Sequence, residues 1–200
     1  PKKCTVAIEG FGNVGWFASK YLSKHGCKLV AVSDSSGVIY NKNGLDFDRL
    51  AKTKKKEGAV TSYKHGEVMP DNDILDVNAD ILVTAAIPDL IKEGDVDRLK
   101  FKMIVEGSNI PMKDAVEELC FRKGILVVPD FVANAGGVIS SYVEYIHGNE
   151  KKMFKLVEEK IKKNTKLVLE LAKRLKVMPR EAAMKIAVER VRAKCKICRI

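Results

Sequence analysis

The sequence predicts an α/β fold: a doubly wound parallel sheet with helices on both faces and a C-terminal helical extension. Apolar runs of strand length alternate with segments of helical periodicity, which is typical of a parallel sheet that is covered on both sides. The runs lie at residues 6–8, 29–32, 80–86, 101–106 and 125–128. Small or polar residues follow each run, so we expect ligand-binding residues at the carboxyl edge of the sheet.

A glycine-rich turn, Gly10-Phe-Gly12-Asn-Val-Gly15, follows the first run and opens a helical pattern. If a dinucleotide binds here, the first glycine permits a tight turn, the second lets the backbone approach the pyrophosphate, and the third lets helix and strand pack closely. The second run ends at Asp34, where a carboxylate can accept hydrogen bonds from an adenosine ribose. We therefore predict a Rossmann-type dinucleotide-binding domain over residues 1–150. The alternative is a structural turn, with Asp34 capping the turn after the second strand.

Composition favours a soluble protein of the cytoplasm with no membrane partner. The chain has 200 residues, of which 46% are hydrophobic, enough for one sizeable core or one domain with an appendage. It has no signal-peptide segment near its start and no apolar run of about 18 residues. Its five cysteines are few and scattered, so we expect reduced thiols. The pair Cys195 and Cys198 is at most half of a zinc site, and no metal is predicted.

The net charge of +10 belongs to the C-terminal quarter of the chain, because residues 151–200 carry 17 Lys/Arg against 5 Asp/Glu. A basic tail can bind nucleic acid. Here, however, the cations alternate with apolar residues at helical spacing, which favours the solvated face of core-packed helices. We expect residues 151–200 to be helices that pack on the domain, and no nucleic-acid partner.

Several motifs together resemble the NAD(P)-binding, C-terminal domain of the glutamate/leucine/phenylalanine/valine dehydrogenase family. They are Gly10-Phe-Gly-Asn-Val-Gly15, Glu106-Gly-Ser-Asn109, Pro129-Asp-Phe and Asn134-Ala-Gly-Gly-Val138, and the resemblance covers essentially the whole chain. Within the family, Val32-Ser-Asp-Ser-Ser-Gly37 and the segment from Pro129 to Ser141 are most similar to glutamate dehydrogenases.

The resemblance assigns roles to the matching residues. The glycine turn would hold the pyrophosphate, Asp34 the adenosine ribose, Asn109 the nicotinamide ribose and Asn134 the carboxamide, while Ser141 would meet the side-chain carboxylate of the substrate. The implied cofactor-binding set is Gly10, Phe11, Gly12, Asn13, Val14, Gly15, Asp34, Ser35, Ala85, Ala86, Ile87, Asn109 and Asn134, and the implied substrate-binding residues are Val138 and Ser141. Asn134 has a second interpretation, that of a helix cap ahead of Ala135.

The implied reaction is the reversible oxidative deamination of L-glutamate to 2-oxoglutarate and ammonium with NAD(P). The family's catalytic lysine and aspartate belong to an N-terminal substrate domain that is missing here, and no lysine of this chain matches their motifs. The resemblance therefore implies cofactor binding without turnover by this chain, and a homo-oligomeric full-length protein. A stand-alone NAD(P)-binding sensor is the alternative, although such a module would not need Asn134 or Ser141.

The choice between NAD and NADP stays open, with the balance slightly towards NADP. The Asp34 carboxylate would repel a 2′-phosphate, which favours NAD. Residues 33–36, however, resemble those of NADP-using glutamate dehydrogenases, and the lysines within 52–56 form either an exposed helix end or a contact to that phosphate. Two departures from the family pattern bear on the site: Thr84 stands where proline is common, and Ile110 is bulkier than the usual glycine.

Overall fold

A computed structural model of the chain describes residues 4–195. The chain divides into two compact units, Pro1–Leu126 and Val127–Ile200. The assignment of residues 1–150 to dinucleotide binding and of residues 151–200 to a packed helical extension stays a prediction.

A seven-stranded, mostly parallel sheet is the frame of the fold. Its strands are β1 (Thr5–Glu9), β2 (Lys28–Asp34), β3 (Gly37–Tyr40), β4 (Glu67–Met69), β5 (Ile81–Thr84), β6 (Met103–Glu106) and β7 (Leu126–Val128). The spatial order is β4-β3-β2-β1-β5-β6-β7. β1 is central and pairs in parallel with β2 and β5, with Ile8 opposite both Val32 and Val83. The predicted α/β fold class is therefore confirmed.

Seven α-helices within the described residues lie between or after these strands along the chain. They are α1 (Asn13–Lys24), α2 (Phe47–Glu57), α3 (Asp114–Arg122), α4 (Asp130–Ala133), α5 (Gly136–Tyr145), α6 (Glu150–Leu175) and α7 (Pro179–Lys194). α6 begins at Glu150, next to residue 151, where the sequence predicts the start of the helical segment. The position of Pro111 in the sequence suits the start of α3, but the helix begins only at Asp114, because Met112 forms a β-bridge with Ile91 and keeps the chain extended beyond the proline. None of the helices within residues 4–195 combines the length and apolar composition needed to cross a membrane.

The sheet also contains two antiparallel strands that the sequence did not reveal. β3 pairs antiparallel with β2, and β4 pairs antiparallel with β3. Both strands are short and lie next to turn-forming residues, so no strand periodicity marks them in the sequence. Gly37 shows why the hairpin needs glycine: its φ is +126°, and a Cβ atom there would lie 2.8 Å from the carbonyl oxygen of Met69.

The core of the first unit forms around β1. Val6, Ala7 and Ile8 are fully buried, as expected for a strand covered on both faces. Leu50 of α2 is equally buried and belongs, with Val6 and Ile8, to the same apolar cluster. Burial of these side chains holds β1 in place, and the glycine turn that follows β1 therefore lies at the carboxyl edge of the sheet.

The cysteines are only partly as expected. Cys4, Cys27 and Cys120 are thiols. Cys195 is disulfide-bonded, so the expectation of thiols throughout is wrong at that position. Cys198, the second member of the predicted half-site for zinc, lies outside the described residues. Among residues 4–195, no group of three or more His, Cys, Asp or Glu side chains is arranged to hold a metal ion.

Candidate functional site

The glycine turn has the geometry that close backbone approach requires. Gly10 has φ of +87°, and a Cβ atom there would lie 2.6 Å from the Cβ of Ala86. A Cβ atom on Gly15 would lie 1.8 Å from the carbonyl oxygen of Gly10. At Gly12, in contrast, a Cβ atom would meet nothing within 4 Å. The outer glycines thus shape the turn itself, whereas the middle one borders open space in which a ligand can approach the backbone.

Helix α1 presents its amino end at this turn. It begins at Asn13, with Gly12 at the N-cap position, and no side chain caps the helix. Its first N–H groups have no intrahelical acceptors, and the helix dipole is positive at this end. Such an end suits a phosphate group, which can accept several backbone hydrogen bonds at once.

A buried carboxylate, Glu9, connects the turn to the loop that follows β5. Its Oε2 atom accepts hydrogen bonds from the backbone N–H of Ala85 at 2.9 Å and of Ala86 at 3.0 Å, and Oε1 accepts one from Ile87 at 3.4 Å. Burial raises the pKa of Glu9 above its ordinary value, and these hydrogen bonds offset only part of that effect. Glu9 therefore sets the position of three residues of the implied cofactor-binding set, Ala85, Ala86 and Ile87.

Sequence reasoning missed Glu9. The available signal was a charged residue at the end of an otherwise apolar strand, directly before Gly10. A carboxylate in such a place must find hydrogen-bond donors, because burying it without them is costly. The identity of those donors could not be inferred, since they lie more than 70 residues away in the sequence.

Asp34, at the end of β2, is held by hydrogen bonds within the chain. Its Oδ2 atom accepts from Lys54 Nζ at 2.7 Å and from the N–H of Val60 at 2.9 Å, while Oδ1 accepts from the N–H and hydroxyl of Ser36. Burial would raise the pKa of Asp34, but the hydrogen bonds from Lys54, Ser36 and Val60 outweigh burial and hold that pKa below its usual range. The Asp34 side chain is only 7% exposed. Asp34 is thus an ionised anchor for α2 and the segment after it, and its contact with a ribose stays a prediction.

A basic pocket adjoins the glycine turn. It has a volume of about 600 Å³ and is lined by the turn, by α1 and by α2. Four lysines and one carboxylate line it, namely Lys20, Lys52, Lys54, Lys55 and Asp48, together with Phe11, Gly12, Asn13, Trp16, Phe47 and Ala51. The excess of positive charge beside the backbone of Gly12 makes this pocket suitable for an anionic ligand that also has an apolar portion.

Thr84, one of the two departures from the family pattern, contacts Ser108 at the ends of β5 and β6. The hydroxyl of Ser108 donates to Thr84 Oγ1 at 3.0 Å, and both side chains are buried. The backbone N–H of Ser108 also donates to the carbonyl of Thr84, at 2.8 Å. These bonds connect the ends of β5 and β6, the strands that lead to Ala85 and to Asn109. Beyond them Asn109 is exposed, and Ile110 is 59% exposed with φ of +48°.

The remaining predicted residues belong to the second unit. Asn134 is the C-cap of α4, and the residue at the N-cap of α5 is Ala135. The interpretation of Asn134 as the cap of the following helix is therefore wrong. Val138 is 76% exposed on α5. Ser141 is also exposed, and its hydroxyl donates to the carbonyl of Gly137 at 3.2 Å.

Within the second unit, a buried ion pair supports α4. Arg180 of α7 donates to Asp130 Oδ1 at 3.2 Å, and its guanidinium lies 5.5 Å from the centre of the Phe131 ring. Asp130 is 8% exposed. The sequence motif containing Asp130 and Phe131 was recognised, but its partner on α7 was not, because the two positions are 50 residues apart.

Comparison with known proteins identifies the family of the chain. The family model for glutamate/leucine/phenylalanine/valine dehydrogenases matches residues 1–197. The chain belongs to this family. It is 43% identical over 197 residues to a glutamate dehydrogenase from Aeropyrum pernix, covering 94% of this chain and 47% of the relative. It is 34% identical over 194 residues to an NADP-specific glutamate dehydrogenase from Saccharolobus shibatae, covering 93% of this chain and 46% of the relative.

A solved dehydrogenase of the same family has the same fold. The structure of hetero-hexameric glutamate dehydrogenase from Thermus thermophilus, in its leucine-bound form, superposes with a TM-score of 0.87 at 23% identity and covers 100% of this chain and 48% of that one. In each comparison the chain spans about half the length of the dehydrogenase that it matches.

Proposed function

We propose that the chain is the cofactor-binding portion of a glutamate dehydrogenase and binds NADP or NAD for the reversible oxidative deamination of L-glutamate to 2-oxoglutarate and ammonium. Family membership and relatives that are named glutamate dehydrogenases support this proposal. The observation that carries it is the contrast within the glycine turn. Gly10 and Gly15 have no room for a side chain, whereas Gly12 faces open space next to the uncapped end of α1.

In the proposed reaction, the nicotinamide ring of the bound cofactor supplies the hydride chemistry. The residues of this chain bind and orient. Backbone N–H groups at the amino end of α1 and in the turn bind the pyrophosphate. Glu9 holds the backbone of residues 85–87 in place beside the turn. Val138 and Ser141, both exposed on α5, are proposed to face the substrate. Productive reaction depends on holding the reactive carbons in line, and positioning of this kind is the contribution of a binding domain.

We assign no catalytic residue to this chain and expect it to bind cofactor without turnover. Its span of about half the length of its relatives supports this expectation. The missing partner is proposed to be an N-terminal substrate domain, in a full-length homo-oligomer.

The charges around Asp34 support a preference for NADP. A free carboxylate at this position would repel a 2′-phosphate. Here Lys54 Nζ lies 2.7 Å from Asp34 Oδ2, which neutralises much of that repulsion, and Lys52 and Lys55 line the same pocket. One relative with 34% identity is named NADP-specific. We therefore propose that NADP binds more tightly than NAD.

The test is a separate titration of NADP and NAD against the chain, followed by the fluorescence of Trp16 and by calorimetry. Trp16 lines the pocket beside the glycine turn and is the single tryptophan of the sequence. We expect saturable binding, tighter for NADP, that Gly12→Val abolishes because a branched side chain fills the space of the pyrophosphate. No binding of either nucleotide at millimolar concentration would contradict the proposal.

Gly94→Val is the matched control. Gly94 is exposed in the short 3-10 helix Glu93–Arg98, and a Cβ atom there would also meet nothing within 4 Å. This variant therefore adds the same side chain at an equally open position away from the turn. Equal loss of binding in both variants would show that the effect at Gly12 is not local.

A further inference from the structure

Two cysteine side chains meet at the amino edge of the sheet. Cys4 directly precedes β1 and Cys27 directly precedes β2, and the two Sγ atoms lie 3.0 Å apart. The two strands are parallel with Thr5 opposite Lys28, and the N–H of Lys28 donates to the carbonyl of Cys4 at 2.8 Å. The backbone pairing of the strands thus fixes both thiols in register.

This arrangement satisfies the geometric conditions for a disulfide. Neighbouring strands lie about 4.8 Å apart, which falls within the Cα separation of about 4.4–6.8 Å that a disulfide spans. A covalent S–S bond is about 2.05 Å long, so the sulfur atoms need to approach by only about 1 Å. Side-chain rotation can supply that movement while the ladder of hydrogen bonds between β1 and β2 stays intact.

We propose that Cys4 and Cys27 are a site of oxidative cross-linking and form a disulfide with a hydroperoxide as oxidant. In the first step the sulfur of Cys4 attacks the hydroperoxide, the O–O bond breaks, and a sulfenic acid and water (or an alcohol) are formed. In the second step the sulfur of Cys27 attacks the sulfenic sulfur, the S–O bond breaks, and water leaves with the thiol proton. With hydrogen peroxide, two thiols and one peroxide give one disulfide and two waters.

The two thiols differ in a way that orders these steps. Cys4 is half-buried and reachable from solvent, whereas Cys27 is 6% exposed. Burial, followed by hydrogen bonding with Cys4, raises the pKa of Cys27 to about 11, so this thiol is protonated near neutral pH. The oxidant therefore meets Cys4 first, and Cys27 acts as the resolving thiol from the interior.

The cross-link closes a loop around the nucleotide-binding turn without touching it. The two cysteines are 23 positions apart, and the segment between them contains β1, the glycine turn and α1. The carboxyl edge of the sheet, where the turn lies, is at the far end of both strands. Closing this loop restricts the unfolded chain, so we expect the midpoint of thermal unfolding to rise by roughly 5–10 °C. The affinity for NADP is expected to stay unchanged.

Peptide mapping of the full chain tests the cross-link directly. The chain is reduced, treated with hydrogen peroxide or left untreated, alkylated, and digested with trypsin under non-reducing conditions. Cleavage after Lys3, Lys20, Lys24 and Lys28 releases peptides 4–20 and 25–28, each with one cysteine. We expect a joined species of these two peptides in the oxidised sample, and its disappearance on reduction.

Three variants separate the cross-link from general oxidation. Cys4→Ser and Cys27→Ser should each remove the joined species and the thermal shift, and Cys4→Ser changes the less buried of the two positions. Cys120→Ser is the control and should leave both unchanged. Cys120 is fully buried, and its pKa is also raised to about 11, mainly by burial. Over-oxidation of Cys4 to sulfinic acid with Cys27 still alkylated, and no joined species, would overturn the proposal.

Discussion

Asp34 and Lys54 form an ion pair with 2.7 Å between Oδ2 and Nζ, and this pair lies where a 2′-phosphate is proposed to bind. The lysine therefore has two partners in the proposed complex, the carboxylate and the phosphate. Without it, the same carboxylate becomes a repulsive charge. The cofactor preference of the chain is thus expected to depend on a residue 20 positions beyond the aspartate.

We expect Lys54→Gln to weaken NADP binding about tenfold and NAD binding much less, because only NADP carries the 2′-phosphate. Calorimetric titration of both nucleotides measures the ratio. Lys56→Gln is the control, since Lys56 pairs with Glu57 at 3.0 Å and does not line the pocket. Equal weakening of NAD and NADP by Lys54→Gln would rule out a specific contact with the phosphate.

The pH dependence of stability should report on Glu9. The pKa of Glu9 is raised in the folded chain above its ordinary value of 4.5, first of all by burial. Its stabilising contribution is therefore complete below pH 4.5 and is lost as the pH rises through the folded pKa. Glu9→Gln keeps one carbonyl acceptor and cannot ionise. We expect this variant to gain stability relative to the wild type between pH 4 and pH 7, as measured by urea unfolding at a series of pH values.

Glu93→Gln, which changes an exposed carboxylate, controls for the loss of negative charge. If the difference in free energy of unfolding between Glu9→Gln and the wild type does not vary with pH, the pKa of Glu9 is not raised in the folded chain. Glu9→Leu addresses position rather than charge, because it leaves the N–H groups of 85–87 without their acceptor. We expect this second variant to weaken NADP binding roughly tenfold through displacement of that loop.

Within the glycine turn, alanine should destabilise the fold far more at position 15 than at position 12. Gly15→Ala gains helix propensity of up to about 1 kcal/mol, but its Cβ would lie 1.8 Å from the carbonyl oxygen of Gly10, so we expect a net loss of at least about 3 kcal/mol. Gly12→Ala has open space, and the less favourable N-cap residue should cost no more than about 1 kcal/mol. Chemical denaturation measures the free energy of unfolding of both variants. Similar losses of stability in the two variants would mean that the turn is not packed as described.

The hydrogen bond between Ser108 and Thr84 predicts coupled substitutions. Thr84→Val leaves a buried hydroxyl without its acceptor and should cost about 1–3 kcal/mol, while Ser108→Ala should cost about 1 kcal/mol. The double variant should cost less than the sum of the two, with a coupling energy of about 0.5–1.5 kcal/mol. Urea unfolding of the four proteins provides the cycle. Additive losses would show that the 3.0 Å contact contributes nothing to stability.

The features that the sequence could predict are those set by residues close to one another in the chain. Val6 and Ile8 indicate a buried strand because their neighbours are apolar. The glycines from Gly10 to Gly15 indicate the turn because their spacing meets the steric needs of a tight connection between that strand and the next helix. The resemblance of the same motifs to a dehydrogenase family was confirmed over nearly the whole chain.

The features that the sequence could not predict are contacts between residues that are far apart in the chain. The donors to Glu9, the lysine that neutralises Asp34 and the sulfur opposite Cys4 all depend on strand register and helix placement, which no local pattern encodes. β3 and β4 were missed for a related reason, because strands of four and three residues between turns carry too little periodicity to be recognised.

The short outer strand β4 also limits pairing of the sheet edge with a second copy of the chain. It offers only three residues, Glu67–Met69, with Glu67 and Val68 exposed and Pro70 directly after them. An open edge of this kind gives a second copy few backbone groups to pair with, and a charge and a proline discourage extension of the sheet. Aggregation from this side is therefore disfavoured, which suits the chain to the high protein concentrations that calorimetric titrations require.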